Sequence, residues 1–241
     1  MLRLQSVHKA MTIRILLFLF LLAPRWGQAQ TEAYDWQLWS GFSIENNDLH
    51  RLDLGLSYQN RLDRDVSRVR GHYTSLDASY KWKKHYRLLA SVRFASSSRW
   101  DKLRWSLGIS RSFDLLSGTT VKLRALWQYQ AFPGSEIRYG INVPQQNYRL
   151  RFTLRHKLIK KTWLNLHTEP LWRTEPGLFE FNRLRSTIQL ERSLPGPWAI
   201  TLGYLRQNGF NRSTNMQAIV FEVQYFFKLR KRRCLLLDVL L

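Results

Sequence analysis

Cysteine is almost missing from this chain: among 241 residues there is one, Cys234, so no internal disulfide can form. An exported chain without disulfides must be held by its hydrogen-bond ladder and its packing. Acidic residues are also scarce, 17 against 38 lysines and arginines, which gives a formal charge of +21. After Gln30 nothing approaches the roughly 20 apolar residues that a membrane helix needs. The signatures of several chemistries are absent too. There is no Gly-x-Ser-x-Gly elbow and no glycine-rich phosphate loop. His50, His72, His85 and His156 sit at turns and strand ends without metal-ligand spacing, so neither a metal nor a cofactor is expected. The basic residues are spread over every segment rather than gathered in one patch, which argues against a nucleic-acid partner.

What is present begins with an export signal. Lys9 and Arg14 flank an apolar run from Ile13 to Ala23, and Gly27 and Ala29 put small side chains at −3 and −1 of a cut before Gln30. That run is too short for a stable helical span. Residues 1–29 are therefore read as a signal peptide, residues 30–228 as a barrel domain, and residues 229–241 as a basic and apolar tail. Removing Arg3, Lys9, Arg14 and Arg25 lowers the net charge from +21 to +17, so the mature chain stays strongly basic.

A chain in which 14% of residues are aromatic, and which is also rich in arginine, must keep the two sets apart. Strands do this residue by residue, because successive side chains point to opposite faces. Tyr148, Leu150, Phe152 and Leu154 alternate with Arg149, Arg151, Thr153 and Arg155. Leu103, Trp105, Leu107 and Ile109 oppose Arg104, Ser106, Gly108 and Ser110, and Leu52, Leu54, Leu56 and Tyr58 oppose Asp53, Gly55, Ser57 and Gln59. The same rule runs through 36–45, 73–82, 86–95, 119–131, 162–172, 181–192, 198–207 and 216–227. Short turns alternate with longer links at 61–71, 132–146, 173–180 and 208–215. The fold expected is all-β: a transmembrane, antiparallel, up-and-down β-barrel of about 10–12 strands in a bacterial outer membrane. Eleven segments are visible, and even parity favours ten or twelve strands. Aromatics near segment ends, among them Trp36, Trp82, Trp100, Trp163, Trp172, Trp198 and Tyr225, suit the membrane–water boundary.

The order of these pieces resembles DUF2490, a family of uncharacterised bacterial outer-membrane proteins. The resemblance covers roughly 34–228. It rests on Trp36-Gln37-Leu38-Trp39, Tyr58-Gln59-Asn60-Arg61 and Phe181-Asn182-Arg183-Leu184-Arg185. Leu190-Glu191, Leu202-Gly203-Tyr204-Leu205-Arg206-Gln207 and Val223-Gln224-Tyr225-Phe226-Phe227 continue it. It implies a β-barrel and no activity. The tail after Phe227 departs from it, since such chains usually stop at the terminal aromatic, the signal that barrel-insertion machinery reads.

With the apolar face toward lipid, the opposite face collects Lys81, Arg93, Arg104, Lys122, Arg124, Arg149, Arg151, Arg155, Arg183 and Arg185 as candidate lumen-lining residues. Fewer acids share it: Asp53, Asp77, Glu169, Glu191 and Glu222. The first reading is a structural barrel closed by these side chains. The alternative is a narrow, anion-preferring pore for small solutes. A lipid-modifying enzyme would have to use His167 with Glu169, yet Ser186 falls on the lipid side, so no catalytic residue is assigned. Partners expected are outer-membrane lipids, the insertion machinery and small anions, with Arg61, Arg64, Arg68 and Arg70 of the first long link facing lipopolysaccharide phosphates.

Overall fold

The computed structural model describes residues 35–49, 51–97, 101–133, 144–175, 178–210 and 215–227. The signal segment 1–29, Trp100, Cys234 and the tail 229–241 lie outside the described residues.

Among the described residues the chain forms eleven strands and no helix. They are β1 (Asp35–Leu49), β2 (Leu52–Asp63), β3 (Arg68–Lys83), β4 (Tyr86–Ser96), β5 (Asp101–Leu116) and β6 (Thr119–Ala131). The rest are β7 (Gln145–Ile159), β8 (Thr162–Glu175), β9 (Leu178–Ser193), β10 (Trp198–Gly209) and β11 (Met216–Phe227). Every segment picked out by alternation lies inside one strand. The strands run from 11 residues in β4 to 16 in β3, so several extend past the span a bilayer requires.

Each strand pairs with its sequence neighbour, and β1 pairs with β11 to close the barrel. Closure gives every ladder a partner on both sides, which a lipid environment demands of any backbone that crosses it. The count of eleven falls between the even numbers that parity favours, and it has a geometric consequence. An up-and-down chain with an odd number of strands starts and ends in the same direction. Its closing ladder must therefore be parallel, and it is, in register from Asp35↔Met216 to Asn46↔Phe227. Parallel pairing is slightly weaker per residue than antiparallel pairing. Here the seam is backed on its inner side by a buried cluster of Trp39, Leu205, Met216, Ala218 and Val220.

The alternation decides which side each residue meets. Leu56, Leu76, Leu107, Phe152 and Leu202 stand on the outer face at 46–57% exposure, a level that in water would mark a large uncovered apolar surface. Rings gather toward both ends of that face. Trp198 contacts Tyr225 at 4.7 Å near the short turns, and Tyr148 contacts Phe179 at 6.0 Å near the long links. Trp163 departs from the expected belt: it shares the inner side of β8 with Asn165 and His167, and the Arg155 guanidinium lies 4.9 Å from its ring.

The first long link, expected over 61–71, is much shorter than its polar sequence suggests. Strands β2 and β3 leave only a four-residue turn, 64–67, where Arg64, Asp65 and Val66 all adopt left-handed backbone angles. Arg61 and Arg70 therefore belong to strands. Arg61↔Gly71 and Leu62↔Val69 are paired, which leaves Arg70 as the extra residue of a bulge. Bulges re-aim side chains, and this one turns Arg70 inward.

Candidate functional site: a basic lumen

The inner faces of the strands build a string of cavities whose walls overlap. The long-link end holds one of about 150 Å³, the middle one of about 260 Å³, and the short-turn end two of about 360 and 630 Å³. The middle cavity shares Arg61, Arg93, Arg104, Gln128, Arg149 and Arg185 with the long-link cavity. It shares Asp77, Ser106, Arg124 and Glu222 with one short-turn cavity, and Arg151, His167 and Gln189 with the other.

Nine of the ten basic residues expected on the lumen face stand in these walls: Arg93, Arg104, Lys122, Arg124, Arg149, Arg151, Arg155, Arg183 and Arg185. The tenth, Lys81, lies toward the short turns with its ammonium 3.5 Å from Asp53. Arg61, Arg70, Arg87 and Lys102 join the walls as well. The bulge breaks the alternation of β3 at Arg70, whereas Arg61 stays in phase with Gln59 and was set aside because the link was expected to start at it. Of the four cations assigned to lipopolysaccharide, these two face inward, and Arg68 is held by both carboxylate oxygens of Asp63 at 3.0 Å.

Charge is divided along the barrel axis. The long-link cavity is lined by Arg61, Arg70, Arg93, Lys102, Arg104, Arg149, Arg183 and Arg185, and by no carboxylate among the described residues. The two short-turn cavities carry Glu45, Asp53, Asp77, Glu191 and Glu222 against Arg87, Lys122, Arg124, Arg151 and Arg155, an even balance. Pairs form there: Arg155 reaches Glu191 at 2.8 Å, and Arg87 donates to Asp53.

Between the two zones sits Glu169, whose side chain is 2% exposed. Arg149 clasps it with two parallel bonds, Nε to Oε1 at 3.1 Å and Nη2 to Oε2 at 2.6 Å. Arg151 Nε donates to Oε1 at 3.0 Å, and Arg185 Nη1 lies 3.7 Å from Oε2. One carboxylate thus answers three guanidiniums, an arrangement that suits the planar fork of arginine.

Arg61 is held differently. Its guanidinium is sandwiched 3.7 Å from the Trp39 ring and 4.0 Å from the Tyr73 ring, and its Nε donates to Gln59 at 2.8 Å. Trp39 is fixed in turn by a bond from Nε1 to Gln37 Oε1 at 2.9 Å. The apolar seam therefore supplies one wall of the middle cavity, and the arginines of β4 to β9 supply the opposite wall.

His167 does not meet Ser186. Its Nδ1 meets Thr153 Oγ1 at 2.9 Å and its Nε2 meets Gln189 Oε1 at 3.0 Å, while Ser186 alternates to the outer face.

No family model matches the chain, and no curated protein matches it. Nine chains of solved structures do. The NanC porin matches with a TM-score of 0.50 at 8% identity, over 76% of this chain and 91% of that one. OccAB2 of Acinetobacter baumannii gives a TM-score of 0.37 at 13% identity, over 73% of this chain and 53% of that one. OccK11 (OpdR) of Pseudomonas aeruginosa gives 0.34 at 10% identity, over 69% and 53%. The fold is that of a porin-like β-barrel.

Proposed function

We propose that the chain is an outer-membrane barrel that passes small anions through a narrow basic lumen. The observation that carries this reading is the chain of cavities with shared walls, running from the all-cationic end to the mixed end. Low-dielectric walls focus the field of such a lining, and rings of basic side chains favour anions over cations. The outer apolar face and the export signal at 1–29 support an outer-membrane address, and the porin fold of the NanC structure agrees with a channel. Membership of the DUF2490 family is part of the same proposal, on the order of the motifs from Trp36 to Phe227.

The test is planar-bilayer conductance of the purified protein under a salt gradient. Discrete steps with a reversal potential on the anion side are expected. Arg93→Gln combined with Arg104→Gln should move that potential toward zero, since neither residue is paired with a carboxylate among the described residues. A second reading, a barrel closed by its own side chains, draws on the Glu169 cluster. It predicts silence from protein that still shows the heat-dependent gel shift of a folded barrel, and that result would retire the pore.

A further inference from the structure

We propose that the long-link chamber is a binding site for one compact, multivalent oxyanion, of which inorganic phosphate is the simplest example. This deepens the pore reading by naming what the lumen holds, yet binding requires access from one mouth only and not passage.

The chamber differs from an ordinary solvated charge cluster in three ways. First, while Arg149 and Arg185 share Glu169, three of its other cations have neutral partners. Arg93 Nε donates to Ser75 at 2.6 Å, Arg104 Nη2 to Gln130 at 2.8 Å and Arg183 Nε to Asn182 at 2.7 Å. Each of these bonds orients a guanidinium without pairing it to a carboxylate. Second, the Arg104 Nε is buried without any hydrogen-bond acceptor, and it belongs to a side chain that lines this chamber. A buried N–H of a charged group is costly to leave unmade. Third, the fold brings the cations here by specific means. The bulge at Arg70 turns that residue inward, and a second bulge on β9 inserts Asn182 beside Arg183.

The ligand class follows from size and chemistry. About 150 Å³ accommodates a phosphate or sulfate with a little water, and excludes a nucleotide. Forked guanidiniums match tetrahedral oxyanions, which take several N–H donors at once, whereas chloride has no directional lone pairs to match the forks. The neighbouring amides of Gln128, Gln130 and Asn147 supply donors that a multivalent oxyanion also uses.

The experiment is equilibrium dialysis of radiolabelled phosphate against the full-length protein, folded in non-ionic detergent at low salt, with folding verified by the gel shift. Saturable binding near one ion per barrel is expected, displaced by sulfate but not by equal acetate. Arg104→Gln and Arg93→Gln should each weaken it about tenfold or more. Arg192→Gln, an exposed position on the outer side of β9, should leave it unchanged. Short-chain phosphatidic acid is the competitor that separates sources: displacement assigns the site to a lipid headgroup phosphate, and none assigns it to free ions. Absence of saturable binding to folded protein, or binding indifferent to both arginine substitutions, overturns the site. A conducting barrel that binds no phosphate sinks this inference alone. A silent barrel that binds it sinks the pore and leaves the site standing.

Discussion

Glu169 carries the largest local burden of any side chain in the lumen, because three arginines depend on it. Removing one partner of a buried pair leaves the others charged in a poorly hydrated place, at about 3–5 kcal/mol. Glu169→Gln should therefore lower the stability of the folded barrel by that order in urea titrations monitored by tryptophan fluorescence, and an unchanged midpoint would contradict the clamp. Gly108 matters for the opposite reason, since it leaves no room for a side chain. A Cβ there would sit 2.2 Å from the Ala125 carbonyl oxygen and 2.5 Å from Leu126 Cδ2. Gly108→Val should force β5 away from β6 and cost on the order of 1–3 kcal/mol, as overpacking does. It should be visible as a lower melting point in the gel-shift assay. At this scale the sequence was informative wherever alternation was unbroken. Arg149, Arg151 and Arg155 could be assigned to one face by spacing alone. Arg70 could not, because one extra residue in β3 shifts the phase of everything before it. Arg61 keeps the phase of Asp53, Ser57 and Gln59 and was missed only because the link was expected to begin there.

Between strands, the seam is the element that the chain leaves least protected. Its ladder is parallel, and its inner support is the cluster around Trp39. Ser40 and Phe221 face each other across it in register. Cysteines at both positions, in a chain whose Cys234 is replaced by serine, should form a crosslink on mild oxidation and keep the barrel folded on heating. Moving the second cysteine to Val223 should abolish the crosslink, since cross-seam neighbours displaced by two positions exceed disulfide reach. An equal yield from both pairs would mean that the register slides or that the seam closes elsewhere. Strand existence was legible from sequence, and so were the later short turns, but β1 runs on to Leu49 through the Asn46-Asn47-Asp48 stretch that reads as a turn. The pairing of β1 with β11 was not legible. Both strands alternate well, but nothing local in either encodes the direction of a partner about 180 residues away.

Across the whole molecule, the division of charge along the axis predicts an electrical asymmetry. An anion driven from the all-cationic mouth enters a zone that concentrates it, while one driven from the balanced end does not. Single-channel current should therefore be larger when anions move from the long-link end toward the short turns, in channels inserted from one side. The ratio should shrink as salt rises, because the Debye length falls from about 10 Å at 0.1 M to about 3 Å at 1 M. Arg93→Gln with Arg104→Gln should reduce the ratio at low salt. A current that is symmetric in voltage at low salt would show that the axial division has no electrical effect.

The sequence by itself determined that this chain alternates, that its apolar and basic residues take opposite faces, and that eleven segments are long enough to become strands. These are properties of neighbouring residues, and the two-residue period of a strand transmits them directly. Closure of the barrel added three further things: the parallel seam that an odd count imposes, the inward turn of Arg70 at its bulge, and the gathering of Glu169 with Arg149, Arg151 and Arg185. Each depends on register between separate strands, which closure of the barrel fixes and no single stretch of sequence contains.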